Sequence, residues 1–507
     1  MGYQWNKPKA AGWRLRFSLN WLAGPILFSL VLSACQPVGN AAQVTLATPT
    51  TAELIEETPT TVATPLPTRP IYSPGELVDY IAQTGDTLEM LAARFNTSVA
   101  EILEANPFIP ADATTMPPGM PMRIPIYYRP FWGSQFQIIP DSLFINGPSQ
   151  VGFDTAAFVA GQPGWLNGYI EYAFGGNRSG AAIVDYVALQ FSLSPRILLS
   201  LLEYQAGALT QPLKPADLGS YVLGNEDYRY RGVYLQLVWA ANLLNDSYYR
   251  YRMGDLIEFE HLDGRIERTD PWQNAATISL HYYYSRLLDG EAFLRAIAFD
   301  GLALVYQNAF GDPWESETPH IPGSLVQPEL RLPFAPGLAW AYTGGPHTAY
   351  GTAAPFAALD FAPGAISGGC TPSEEWVTAM APGVVARSET GTVVLDLDGD
   401  GDERTGWVIF YFHIGTEQRA PVGTVLQTGD AIGYPSCEGG RATGTHVHVA
   451  RKYNGEWILA DCVLPFNMEG WIAHNGNQAY QGTLTRAGRT VTACECANAA
   501  SFIESGR

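Results

Sequence analysis

The run of apolar and polar positions divides the chain into stretches of distinct character. Residues 17–32 (FSLNWLAGPILFSLVL) are almost continuously apolar. Residues 36–74 are rich in Thr, Pro and Ala, a composition that buries no core and forms an extended, solvated tether. From Glu76 the pattern tightens. LVDYIAQ alternates as a strand does, and LEMLAARFN repeats Leu88, Leu91 and Phe95 at helical spacing. VAEILEANP, capped by Asn96-Thr97-Ser98, carries Val99, Ile102 and Leu103 on one side. Pro117, Pro118 and Gly119 turn the chain into a closing strand, MRIPI, which completes a βααβ unit over residues 75–127.

Residues 128–330 change period. SPRILLSLLEYQAGAL, VYLQLVWAANLLN and NAATISLHYYYSRLL have helical spacing, with Pro195 at a helix start, and they predict a helical middle domain. From Leu332 the chain becomes Gly- and Pro-punctuated strands: VVARSE, GTVVLDL, WVIFYFHI, AIGYP, THVHVARKY and EWILAD. No long helical period interrupts them, so residues 331–475 predict a β-rich domain with an antiparallel sheet. A C-terminal strand or tail, 476–507, carries a cysteine pair. The fold class is multidomain α+β.

Composition adds an address. Lys7, Lys9, Arg14 and Arg16 precede the apolar run, which ends in Leu32-Ser33-Ala34-Cys35, so residues 1–35 read as a secretory signal. LSAC resembles a bacterial lipobox, which implies lipidation of Cys35, a membrane anchor and an extracytoplasmic location. Five further cysteines lie toward the C-terminus: Cys370, Cys437, Cys462, Cys494 and Cys496. Outside the cytoplasm they can pair; a Cys370–Cys437 bridge leaves Cys462 to pair with Cys494 or Cys496. The formal net charge of -20 makes nucleic acid an unsuitable partner.

Half of the chain's 8 histidines fall between residues 338 and 449, together with Asp360. His347 lies in GGPHTAY, Asp360 in AALDFAPG, His413 in YFHIG, and His446 and His448 in THVHVA. Residues two apart on a strand share a face, so His446 and His448 project together while Val447 turns away. Two more histidines and a carboxylate in one apolar segment supply the donors of a zinc site, which needs three protein ligands and one open position. Asp396, Asp398 and Asp400 alternate as in a calcium loop, but Trp407 stands where the closing glutamate belongs. A solvated hairpin tip is the other reading of that run, and calcium is a secondary expectation.

Three resemblances follow. Tyr80, Gly85-Asp86-Thr87-Leu88, Arg94-Phe95, Asn106 and PPGMPMRIPI resemble a LysM module, which implies binding of N-acetylglucosamine-containing glycan, here peptidoglycan, through Gly85, Asp86, Thr87 and Asn106. The helix order of the middle domain resembles the lysozyme-like domain of lytic transglycosylases. Gln205 stands at the acid's position there, and an amide cannot protonate a glycosidic oxygen, so a non-catalytic domain is expected, with Glu203 as the alternative acid. GGPH…LDFAPG, Tyr411-Phe412-His413-Ile414 and His446-Val447-His448 resemble the lysostaphin, LytM and β-lytic zinc endopeptidases (peptidase family M23), which cut peptidoglycan cross-bridges. That likeness implies His347, Asp360 and His448 as zinc ligands and His413 and His446 as catalytic residues. Many members place the first ligand close before the aspartate, where this chain has Phe356. His347 lies thirteen residues before Asp360, a longer spacing associated with the β-lytic branch. The expected function is a lipid-anchored peptidoglycan endopeptidase. The alternatives are a catalytically inactive LytM-like regulator of another hydrolase and a wall-binding lipoprotein whose metal is structural.

Overall fold

The computed structural model describes residues 69–364, 368–496 and 498–506. The signal segment, Cys35 and most of the tether lie outside the described residues. Among the described residues no helix is long and apolar enough to cross a membrane.

Strand Glu76–Ile81, helices Leu88–Phe95 and Val99–Ala105, and strand Pro121–Ile126 form the first unit, and the two strands pair antiparallel. Its helix starts are capped as the sequence suggests: Thr87 accepts from Met90 N, and Ser98 and Glu101 form a reciprocal capping box. Two of the expected glycan contacts need correction. The Asp86 carboxylate is buried and accepts from Tyr80 Oη (2.6 Å), Gln83 N (2.7 Å) and Arg94 (3.2 Å). Asn106 donates to Ile102 O and Arg123 O and accepts from Arg123 N, which ties one loop to the closing strand. Both side chains are spent inside the module, since a buried polar group left unpaired is costly. Gly85 and Thr87 remain near its surface.

The middle domain contains the three helices that the apolar spacing predicts, Pro195–Ala206, Val233–Met253 and Ala275–Ser285. Helix Gly180–Phe191 and two short hairpins, Ile170–Ala173 with Gly176–Ser179 and Glu258–Glu260 with Ile266–Arg268, join them. Gln205 accepts from Tyr283 Oη (2.7 Å) and donates to Leu223 O (3.0 Å). Glu203 accepts from Leu209 N, Thr210 N and Thr210 Oγ1. That carboxylate closes the turn after its own helix, so the alternative of a glycosidase acid is not supported.

The C-terminal domain is built on a nine-stranded antiparallel sheet. From one edge its strands are Val425–Leu426, Gly383–Glu389, Gly391–Asp396, Trp407–Ile414, Val447–Tyr453, Phe356–Pro363, Ala339–Thr348 and Phe502–Glu504, and Glu456–Trp457 pairs beside Val447–Tyr453. The last strand comes from the tail. A boundary at 475 would also cut a four-stranded sheet in which Trp471–Asn475 pairs with Gly482–Arg486, so the tail is integral to this domain.

The two faces of the large sheet have different partners. Ile409, Tyr411, Val447, Val449, Leu359 and Phe361 point into the domain's own core. Val394, Val408, Phe410, Ala358 and Ala450 point the other way and share one continuous core with the middle-domain helices. By alternation, the second face is also that of Asp360 and His448. The middle domain therefore packs on the face that carries the histidines. Asn242 of helix Val233–Met253 accepts from Thr352 N and Oγ1, and Phe191 packs edge-on against Tyr350.

Cys370 and Cys437 are bridged across 67 residues of sequence. Cys494 pairs with Cys496, and Cys462 stays free, which corrects the expected pairing of Cys462. Burial pushes the Cys462 thiol up, so it is a slow nucleophile. Alkylation of the native protein followed by mass spectrometry should label Cys462 slowly and leave Cys370 and Cys437 intact until reduction; rapid labelling of Cys370 would contradict the bridge.

Candidate metal centre

Adjacent strands bring the ligand candidates together. His448 lies directly opposite Asp360 in the register, and His347 opposite Ala358 on the next strand. His347 Nε2 lies 3.0 Å from His448 Nδ1 and 3.2 Å from Asp360 Oδ1, and His448 Nδ1 lies 3.3 Å from the same oxygen. The motif around His347 has a steric reason. A Cβ on Gly344 would sit 2.6 Å from Asp360 Oδ2, and one on Gly345 would sit 2.4 Å from Gln481 O. Only glycine lets the carboxylate and the tail segment approach this closely.

The outward ring nitrogens settle the tautomers. His347 Nδ1 donates to Gly345 O (2.8 Å) and His448 Nε2 donates to Ala349 O (2.9 Å). A carbonyl only accepts, so those nitrogens carry the protons and the facing nitrogens present lone pairs. Three acceptors thus converge, and buried Asp360 Oδ1 has no hydrogen-bond donor. Such an arrangement suits a metal cation. Zinc bonds of about 2.0–2.1 Å imply tetrahedral edges of roughly 3.3 Å, close to the three separations here. The residues present fit a zinc ion.

His413 and His446 border this set. Strict alternation would turn His413 toward the domain core with Tyr411. Instead the pairing with Gly391–Asp396 skips His413, whose φ is +62°, so it sits on a β-bulge that redirects its side chain. Its Nδ1 donates to Glu438 O (2.8 Å), which leaves Nε2 as an acceptor. The His413 and His446 rings lie 4.5 Å apart, His446 Nδ1 donates to Gly444 O, and His446 Nε2 is 3.8 Å from Asp360 Oδ1. Burial, with His446 and His448 adding to it, pushes the His413 pKa down to about 3. A depressed value means the neutral form persists from neutral pH through the mildly acidic range. NMR of labelled histidine should show His413 unprotonated from pH 8 to about 5, against an ordinary imidazole midpoint near 6.5; a midpoint near that ordinary value would contradict the buried geometry.

Five site residues expected from the sequence are therefore brought together: His347, Asp360, His413, His446 and His448. Tyr480 was missed. Its ring stacks on His347 at 4.1 Å, and its carbonyl accepts from Gly345 N. Nothing in the sequence marks it, because it lies in the segment set apart as a tail. The calcium expectation finds no support: Asp396 accepts from the N–H groups of Asp398, Gly399 and Gly401, and Asp398 and Asp400 accept from Asp400 N and Asp402 N. These are the bonds of a self-capped hairpin tip.

Comparison with known proteins matches residues 80–125 to the LysM domain model and residues 137–322 to the model of the LasA N-terminal domain. The second match replaces the lysozyme-like resemblance with a different likeness for the middle domain. Protease LasA of Pseudomonas aeruginosa (strain UCBPP-PA14) is 23% identical over 335 residues, spanning 63% of this chain and 74% of that protein. The beta-lytic metalloendopeptidase of Achromobacter lyticus is 30% identical over 136 residues, 25% of this chain and 34% of that protein. The solved M23 metalloprotease pseudoalterin, from the deep sea, is 27% identical, covers 33% of this chain and 96% of that one, and has a TM-score of 0.29. The family and relative matches support a LysM-plus-M23-peptidase architecture for this chain.

Proposed function

We propose that this chain is a zinc-dependent endopeptidase that hydrolyses peptide bonds of peptidoglycan, brought to its substrate by the LysM module. The observation that carries the reading is the convergence of three unprotonated acceptors, His347 Nε2, His448 Nδ1 and Asp360 Oδ1, within 3.0–3.3 Å of one another. Zinc held by these groups supplies Lewis-acid activation of water and of a carbonyl oxygen. The chain's own residues supply the rest. Neutral His413 accepts the proton of the attacking water on Nε2, because its Nδ1 proton is committed to Glu438 O. His446, fixed through Gly444 O, stands beside it with Nε2 toward the site, and the proton that His413 takes up is passed on to the departing amine.

In this reading a lipid on Cys35 anchors the chain and the tether extends its reach from the membrane. The Cys370–Cys437 bridge is in keeping with an oxidising compartment. Mass spectrometry of the membrane fraction tests the anchor: a lipid-modified Cys35 supports it, and an unmodified N-terminal peptide overturns it. The catalytic reading predicts that His413→Ala leaves zinc stoichiometry intact while lowering kcat by roughly 10²–10⁴-fold, the range of a lost general base. Metal analysis alongside turnover separates this from loss of the ion.

A further inference from the structure

The two loops of the LysM module meet a segment of the same chain. Residues 320–325, in the connection between the middle domain and the peptidase sheet, run across the loop holding Thr84–Thr87 and the loop holding Thr114–Pro117. Ile321 N donates to Thr84 Oγ1 (2.9 Å), Ser324 N to Thr115 O (2.9 Å) and Leu325 N to Thr115 Oγ1 (3.1 Å). In return, Thr114 Oγ1 donates to Leu325 O and Thr115 Oγ1 to Pro322 O. Ile321 and Leu325 are 2% and 6% exposed, so this segment is seated and not merely adjacent. Gly323 lies so close that a Cβ there would stand 2.6 Å from Pro117 Cγ.

Gly85 and Thr87, the two glycan positions that remain near the module's surface, are turned into the same junction. A Cβ on Gly85 would meet Arg252 Nη1 at 2.7 Å. Both residues line a cavity of about 470 Å³ whose walls also include Ile321, Leu325 and Trp457. A buried polar network holds the junction shut. Arg252 donates to Thr84 O and pairs with Asp141 and Glu456, while His320 Nε2 lies 2.6 Å from Glu456 and its Nδ1 3.4 Å from Thr84 Oγ1. One cluster thus joins the LysM loop, the connecting segment, the middle domain and the peptidase domain.

We propose that residues 320–325 are an internal occupant of the LysM glycan face, and that N-acetylglucosamine-containing glycan and this segment exclude one another. This rests on the glycan-binding reading of the module. The consequence is a latch: the module binds glycan only after releasing the segment, and release breaks the Thr84–His320–Glu456 link to the peptidase domain. The apparent affinity for glycan is lowered by the fraction of molecules that are open.

Hydrogen exchange on the full chain, with and without a soluble N-acetylglucosamine oligomer, tests this directly. The amides of Ile321, Ser324 and Leu325 should lose protection when the oligomer binds. Gly323→Val, which forces the segment off Pro117, should bind the oligomer at least about tenfold more tightly, with circular dichroism confirming its fold. Binding without loss of protection at those amides, or with no gain in Gly323→Val, overturns the latch while leaving the glycan reading intact. Absence of binding by both proteins overturns the glycan reading and the latch with it.

Discussion

Asp360→Ala and His448→Ala should each abolish stoichiometric zinc binding by the full chain, and with the ion the proposed hydrolysis. The expectation follows from the number and state of the donors. His347 Nε2, His448 Nδ1 and Asp360 Oδ1 are the only groups of this set aimed at one point, with their other polar atoms committed to backbone carbonyls or held near Gly344. Removing one leaves two ligands of the set. Losing an outer hydrogen-bond partner costs metal sites about 10–100-fold in affinity, so loss of a direct ligand should exceed that. Competition with a chromophoric chelator reads the result. Wild-type zinc affinity in Asp360→Ala would remove this centre from the account.

The second large effect is on stability. Arg252→Leu should destabilise the folded chain by about 3–5 kcal/mol, the cost of leaving buried charges without their partner. Arg252 pairs with Asp141 at 3.0 Å and Glu456 at 3.4 Å, and its side chain is only 5% exposed. Burial disfavours its charge, but Glu456, Tyr248 and Asp141 hold it protonated. The leucine removes the cation and leaves Asp141 and Glu456 buried, with only His320 (2.6 Å) and Tyr248 Oη (3.0 Å) still at hydrogen-bond distance from Glu456 among the described side chains. Arg229 is a suitable control: it pairs with Asp227 on the surface, where solvent screens the interaction and its loss should leave the unfolding midpoint almost unchanged. Urea unfolding followed by fluorescence measures both; an Arg252→Leu midpoint equal to wild type would show that the junction does not hold the domains.

Legibility in the sequence followed the reach of local rules. Period-two alternation placed His446 and His448 on one face, and helical spacing found Pro195–Ala206, Val233–Met253 and Ala275–Ser285. The same rule misdirects His413, since its use depends on a bulge set by pairing with Gly391 and Thr392 on another strand. Asp86 and Asn106 are glycan contacts only by the LysM resemblance, which carries no information on what surrounds them in this chain. Their burial depends on Tyr80, Arg94 and Arg123, which folding brings to them. Tyr480 and the pairing of the final strand with Ala339–Thr348 escaped because the tail returns to the sheet only in three dimensions. Packing of the middle domain on the histidine-bearing face left no local signal either, because Val394, Phe410 and Ala450 read simply as strand residues.

The most direct test of the central claim is the release of new amino termini from purified peptidoglycan by the full chain. Release is expected with zinc bound, with loss on chelation, recovery on adding zinc back, and no release by His448→Ala. Zinc-loaded wild-type protein that binds peptidoglycan yet releases no amino termini would contradict it, and would favour a wall-binding regulator that keeps the metal without the reaction.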